Sequence, residues 1–235
     1  MPKPPTNIET VFSAIEAAGL AARGAFLTAD DERVATLAEA RTIALVGVAG
    51  RFGWDAFAGS PEARDGAKHP LDRFSRRVIG GLAEELGAVA LYPFGGPPFL
   101  PFQQWARRCE PVHPSPLGLL IHLRYGLWHS YRGALAFPEA LAVPALEVAP
   151  SPCDSCAEKP CLGACPVGAF SLDGYDVADC VAHLRTPEGA ECMGAGCLAR
   201  RACLVAAEHA HGPDQAAFAM RAFLRTCLES PPPSF

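Results

Sequence analysis

The sequence CDSCAEKPCLGACPVGAF (residues 153–170) places four cysteines within thirteen residues and follows the last one with a proline. Its spacing is C-x2-C-x4-C-x3-C-P. Thiolates two residues apart on a tight loop can face one centre, because the chain reverses between them and turns backbone N–H groups inward. Such N–H groups offset the negative charge of an iron–sulfur cluster. The spacing therefore predicts a metal site at this stretch and favours an iron–sulfur cluster.

Two other uses of clustered cysteines have to be weighed. The start, MPKPPTNIET, has no apolar signal core, so we expect a cytoplasmic protein, and the reducing cytosol disfavours structural disulfides. Zinc sites also use C-x2-C pairs. Zinc explains neither the C-x3-C-P ending nor the large number of cysteines, and it stays open as the less favoured alternative.

The chain has ten cysteines, and eight of them lie between residues 153 and 203. Bacterial ferredoxins use C-x2-C-x2-C-x3-C-P, which matches residues 153–166 at both ends. Eight thiolates are the number that two [4Fe–4S] clusters require. The predicted metal ligands are Cys153, Cys156, Cys161, Cys165, Cys180, Cys192, Cys197 and Cys203. The other two, Cys109 and Cys227, are expected to be packing thiols.

The texture of the sequence changes near residues 148–152. Before that point helical and strand patterns alternate, and afterwards short loops, cysteines and glycines prevail. We therefore expect an α/β domain at 1–150 and a separate cysteine-rich domain at 151–235. The net charge of −5 gives no general attraction to nucleic acid, and no apolar run is long enough to span a membrane.

Periodicity predicts the individual elements. Helices are expected at 8–18, from Asp30 or Asp31 to Ala40, at 69–87, at 101–109 and near 213–228. Strands are expected at 21–27, 42–50 and 88–92, and the strongest strand signal is 116–138, two apolar arms around a bend that contains Gly126.

The order of the cysteines, four, then a lone Cys180, then three, resembles the C-terminal half of epoxyqueuosine reductases. Those enzymes, like the reductive dehalogenases, set a ferredoxin-like pair of [4Fe–4S] clusters beside a cobalamin-binding domain of nitroreductase-like fold. The resemblance implies an α+β protein in which a nitroreductase-like α/β layered domain precedes a ferredoxin-like two-cluster domain. It assigns Cys153, Cys156, Cys161 and Cys203 to cluster one, and Cys165, Cys180, Cys192 and Cys197 to cluster two. The sequence departs from the family in its longer 156–161 and 192–203 spacings and in Leu204, which stands where a proline is expected.

The stretch GLLIHLRYGLWHSYRGALAFPEALAVPAL (118–146) is similar to CblC-type cobalamin-processing proteins, which carry G-x-x-I-H-x-R-x-G-x-W followed by R-G. The resemblance implies a bound cobalamin. The matching residues proposed to bind it are Gly118, Ile121, His122, Arg124, Gly126, Trp128 and Arg132. The alternative is that Gly126 makes a bend while Ile121 and Trp128 fill a core.

One departure bears on the substrate. Epoxyqueuosine reductases carry an acidic proton donor in a D-S-x-P motif after the strand that corresponds to 88–92, and Gly95 stands in that place here. The chain also ends at PPPSF without the helical-repeat extension of many of those enzymes. Because a reductive deoxygenation needs a proton source, we expect a substrate other than tRNA, such as a small molecule.

Three functions remain open from the sequence. The first is a corrinoid-dependent reductase, an oxidoreductase that receives electrons from a flavodoxin or ferredoxin and passes them through the clusters to cobalamin. The second is a non-catalytic two-cluster electron carrier of ferredoxin type with a degenerate scaffold domain. The third is a zinc-stabilised interaction module.

Overall fold

The structure is a computed structural model and describes residues 7–28 and 39–229. The described residues form a mixed α+β fold and fall into two compact units. The first unit takes the residues up to Pro111 together with His129–Ala149, and the second takes Val112–Trp128 and the residues from Pro150 onward. In the described ranges, no helix combines the length and the apolar character needed to cross a membrane.

The first unit is built on a four-stranded antiparallel sheet with the strand order β1-β2-β6-β3. The strands are β1 (Ala21–Leu27), β2 (Thr42–Ala49), β3 (Val89–Leu91) and β6 (His129–Phe137). Every residue of β2 is buried, so both faces of the sheet are covered at its centre. This agrees with the uninterrupted apolar character of that segment.

Four helices accompany this sheet. They are α1 (Ile8–Ala17), α2 (Trp54–Ala58), α3 (Pro70–Leu86) and α4 (Phe102–Cys109). Asn7 caps α1 by accepting a hydrogen bond from the Thr10 N–H at 2.8 Å, and Gly87 ends α3 in the left-handed conformation at φ +72°. The periodicity prediction is confirmed for α1, α3 and α4. The helix expected from Asp30 or Asp31 to Ala40 falls mostly on residues outside the described ranges.

The second unit begins with a short hairpin of β4 (Val112–Pro114) and β5 (Leu120–His122). The helices that follow are α5 (Pro160–Gly163), α6 (Val177–Leu184), α7 (Ala190–Ala195), α8 (Leu198–Arg201) and α9 (Pro213–Glu229). Two 3-10 turns lie at Pro187–Gly189 and Ala207–His209. Its core cluster of buried residues contains Leu117, Ile121, Leu127, Cys161, Phe170 and Ala199.

The strand signal at 116–138 is confirmed as two strands, β5 and β6, on either side of the bend. The bend at Gly126 exists, because His122 and Gly126 exchange two backbone hydrogen bonds of 2.8 Å. The two arms do not pair with each other, however: β5 pairs with β4, whereas β6 pairs with β2 and β3 in the first unit. An alternating pattern identifies a strand but not the neighbour that completes its hydrogen bonds.

Candidate metal centre

Four thiols from distant parts of the second unit lie close together. Burial raises the pKa of the Cys153 thiol, and the nearby thiols of Cys203, Cys161 and Cys156 raise it further. The pKa of Cys161 is raised in the same way, by burial and then by Cys203 and Cys156. We call Cys153, Cys156, Cys161 and Cys203 the first quartet.

A lysine closes the loop that carries most of the first quartet. Lys159 adopts a left-handed conformation at φ +41°, and its Nζ donates to the carbonyl oxygens of Cys153 at 3.3 Å and Cys156 at 3.1 Å. Helix α5 starts at the next residue and carries Cys161. The four residues between Cys156 and Cys161, two more than in the ferredoxin spacing, therefore include an ammonium group that ties the loop to itself.

The remaining four cysteines line a single cavity. Cys165, Cys180, Cys192 and Cys197 line a small cavity of about 20 Å³. Burial raises the pKa of Cys180, and Cys197, Cys165 and Cys192 raise it further. These four are the second quartet. The rest of the lining is mainly apolar and includes Phe170, Leu184, Leu198 and Met220.

Backbone N–H groups point at two thiols of the second quartet. The Ala169 N–H donates to Cys165 Sγ at 3.4 Å. The N–H groups of Ala199 and Arg200, at the start of α8, donate to Cys197 and lower its pKa, although burial raises it more strongly. A thiolate at these positions would be stabilised by the donors that the sequence predicted around the cysteine loops.

Polar side chains contact the other two thiols. The Tyr175 hydroxyl donates to Cys180, which lowers the pKa of the thiol against the effect of burial. His183 Nε2 lies 3.9 Å from Cys192 Sγ, within reach of an N–H···S hydrogen bond. The Tyr175 ring is itself fixed by stacking on Phe170 at 4.3 Å between centroids. Neither Tyr175 nor His183 was singled out from the sequence.

None of the ten cysteines, all within the described ranges, forms a disulfide. Within residues 7–28 and 39–229, no three His, Cys, Asp or Glu side chains form a group that could hold a metal ion. Four thiolates around one zinc stand about 3.8 Å apart, given Zn–S bonds of about 2.3 Å, whereas the thiolates of a [4Fe–4S] cluster bind separate irons and stand wider. The ligand roles of the two quartets stay a prediction.

The residues predicted to bind a corrinoid are divided between the units. Arg132 lies in the first unit, where its guanidinium is ion-paired with Asp72 and donates to Ser75 Oγ at 3.2 Å. The other six lie in the second unit. Of these, Gly118 and Arg124 are exposed to solvent.

Three of these six residues are buried or hydrogen-bonded within the protein. Ile121 is fully buried, and Trp128 is 4% exposed. His122 Nδ1 accepts hydrogen bonds from the N–H groups of Arg124 at 2.9 Å and Tyr125 at 3.3 Å. A neutral histidine that accepts through Nδ1 carries its proton on Nε2, which leaves no free lone pair for cobalt.

The backbone conformation and the packing at position 126 require a glycine. It lies at φ +55°, and a Cβ there would come 2.2 Å from the carbonyl oxygen of Val205. A side chain at this position would therefore break the packing between the 112–128 segment and the residues after Cys203. These contacts match the alternative left open by the sequence, and corrinoid binding by the segment stays a prediction.

A buried polar network in the first unit was missed by the sequence analysis. Arg23, 0% exposed, donates from Nε and a terminal nitrogen to the two carboxylate oxygens of Glu110 at 2.7 and 3.0 Å. The Tyr131 hydroxyl donates to Glu110 at 2.5 Å, and His129 Nδ1 lies 3.2 Å from the Arg23 guanidinium. Arg23 and Glu110 are 87 residues apart. No local pattern could have paired them.

Among known proteins, solved structures share the fold of this chain. No protein-family model matches the chain, and neither does any curated protein. The epoxyqueuosine reductase from Streptococcus thermophilus matches over 90% of this chain and 70% of its own, with a TM-score of 0.52 and 16% sequence identity. The chain has the fold of epoxyqueuosine reductase. An epoxyqueuosine reductase solved with an epoxyqueuosine-modified tRNA-Tyr stem loop also matches, over 88% of this chain and 68% of its own, at a TM-score of 0.47 and 15% identity.

The epoxyqueuosine reductase fold agrees with the resemblance recognised from the cysteine order. At this level of identity the likeness concerns the fold, so activity, cofactors and substrate have to be argued from the residues of this chain.

Proposed function

We propose that this chain is an iron–sulfur reductase that holds two [4Fe–4S] clusters and delivers their electrons through a bound corrinoid. The observation that carries the proposal is the gathering of eight cysteines into two quartets, one around Cys153 and one lining the cavity at Cys180. When bound, the clusters would carry single electrons and the corrinoid would pass them to the substrate. The nitroreductase-like and ferredoxin-like domains, 1–150 and 151–235, belong to the same proposal.

The chain's own contribution is ligation and stabilisation of charge. The thiolates of the two quartets would hold the clusters, and the N–H and O–H groups aimed at the second quartet would offset their negative charge. The orientation of these donors in the structure supports cluster binding, because thiols in an ordinary core have no need of several converging donors.

Metal content tests the proposal directly. Protein purified without oxygen should be brown and contain about eight irons and eight acid-labile sulfides per chain, as two [4Fe–4S] clusters require. Chemical analysis of iron, zinc and sulfide measures this. About two zinc ions without sulfide would contradict the proposal. About four irons would show that only one cluster forms. The first quartet is then expected to be the one without a cluster, because the spacing before Cys203 is longer than in the family and Leu204 stands in place of a proline.

The corrinoid part of the proposal rests on the resemblance and on the fold. Titration of the anaerobic protein with cob(II)alamin should shift the cobalt spectrum towards the form without its lower base. Arg124→Ala removes an exposed predicted contact and should weaken binding about tenfold, the effect of one charge-assisted hydrogen bond. Arg185→Ala, also an exposed arginine of the second unit, is the matched control and should leave binding unchanged.

The second candidate function is a two-cluster electron carrier. Two observations favour it: Ile121 and Trp128 are buried in the protein, and Gly95 replaces the acidic proton donor. No spectral change with cob(II)alamin up to about 100 μM would support this function over the reductase. In either case, Gly95 and the net charge of −5 support a substrate or partner other than tRNA.

A further inference from the structure

Arg200 has no carboxylate partner among the residues that the structure describes. Its residue is partly exposed, but its Nε is buried and has no hydrogen-bond partner. One terminal nitrogen donates to the carbonyl oxygen of Leu127, and the guanidinium lies 4.8 Å above the Trp128 ring. Within residues 7–28 and 39–229 it makes no salt bridge, whereas the next residue, Arg201, is paired with Glu191 at 2.9 Å at the surface.

A charge held in this way is costly unless an anion is nearby. Burial lowers the pKa of Arg200 to about 10, so that the side chain is still cationic at neutral pH. Arg200 is carried by α8, and the residues at the start of that helix, Cys197, Leu198 and Ala199, line the cavity of the second quartet. A negatively charged cluster in that cavity would therefore be a nearby source of compensating charge.

The cation joins the donors already described. Three thiols of the second quartet have hydrogen-bond donors aimed at them: Ala169 for Cys165, Tyr175 for Cys180, and Ala199 and Arg200 for Cys197. The fourth, Cys192, has His183 Nε2 at 3.9 Å from its Sγ. Hydrogen bonds to cluster sulfurs and nearby charge are what set a cluster's reduction potential.

We propose that Arg200 is the counter-ion of cluster two, held in place by Trp128 and Leu127, and that with Tyr175 and His183 it raises the reduction potential of that cluster. This inference rests on the proposed function. The reduction adds one electron from a low-potential donor and breaks no bond, so the site gains one negative charge. A fixed positive charge stabilises the reduced site more than the oxidised one. Trp128 thus has a role other than contacting a corrinoid: its ring packs against the guanidinium.

The test is a redox titration of the anaerobic protein with dithionite as reductant, followed by electron paramagnetic resonance. Cys180→Ala, which should retain only cluster one, identifies the signal of each cluster. Arg200→Met should lower the ratio of reduced to oxidised cluster two about tenfold at a fixed potential, a shift of about 59 mV for one electron. The signal of cluster one should not move, and Arg200→Lys should recover most of the shift.

Two further variants provide a control and a second test. Arg201→Met removes an exposed arginine one residue away and should leave both potentials unchanged. Tyr175→Phe removes only a hydroxyl, so it should fold even if Arg200→Met does not, and it should lower the same ratio about threefold. If both clusters form and neither Arg200→Met nor Tyr175→Phe shifts the reduction potential of cluster two, the inference is overturned and the proposed function stands. Absence of iron from the wild-type protein would overturn both.

Discussion

Cys180→Ala should lose about half of the bound iron and sulfide, because the second quartet would be left with three thiols while the first keeps four. Cys180 lies on α6 and lines the cavity, and its thiol accepts a hydrogen bond from the Tyr175 hydroxyl. Its loss should leave one set of electron paramagnetic resonance signals unchanged. Iron and sulfide analysis of the anaerobically purified variant measures the effect.

The quartets can be separated by a second replacement. Cys203→Ala should remove the other half of the iron, and the double variant should have none. Cys109→Ser is the matched control, since Cys109 lies in the first unit and its thiol donates to the carbonyl oxygens of Trp105 and Arg23. Should Cys180→Ala keep the wild-type iron content, the grouping of the eight ligands would be wrong.

Glu110→Ala should lower the free energy of unfolding by about 3–5 kcal/mol, because it leaves the guanidinium of Arg23 buried without its carboxylate. It also removes the acceptor of the Tyr131 hydroxyl. Urea unfolding followed by circular dichroism, under anaerobic conditions, measures the change.

Replacing both charged partners together distinguishes a lost ion pair from a lost packing contact. The double variant Arg23→Met and Glu110→Met should be more stable than Glu110→Ala, since no charge remains unpaired. Glu191→Ala breaks the exposed pair with Arg201 and should change stability by less than about 1 kcal/mol. A loss below about 1 kcal/mol for Glu110→Ala itself would show that Arg23 finds another partner.

Local patterns carried most of what the sequence could predict. The helix at α3 and the strand at β2 were both confirmed, because apolar periodicity is imposed by the immediate packing surface. The metal site that the spacing of the cysteines at 153–165 indicates stays a prediction.

Pairings between distant residues could not be predicted in this way. The two arms around Gly126 join different sheets, since hydrogen-bonding partners of strands depend on the whole topology. Arg200 gives no local signal either. No carboxylate of the described residues pairs with it, and this depends on the three-dimensional structure. Tyr175 and His183 did carry a weak signal, as polar residues within a few positions of Cys180 in an otherwise small-residue segment.

The first quartet brings Cys161 near Cys203, and the four cysteines of the second quartet all lie between these two in the sequence. A cluster bound there would act as a cross-link that closes a loop of about 40 residues, and in the chain-entropy model such a closure stabilises a protein by about 4 kcal/mol. Oxygen that destroys the cluster would open this loop and loosen the 112–128 hairpin packed on it. Damage by air would then make the protein more susceptible to proteolysis as well as colourless.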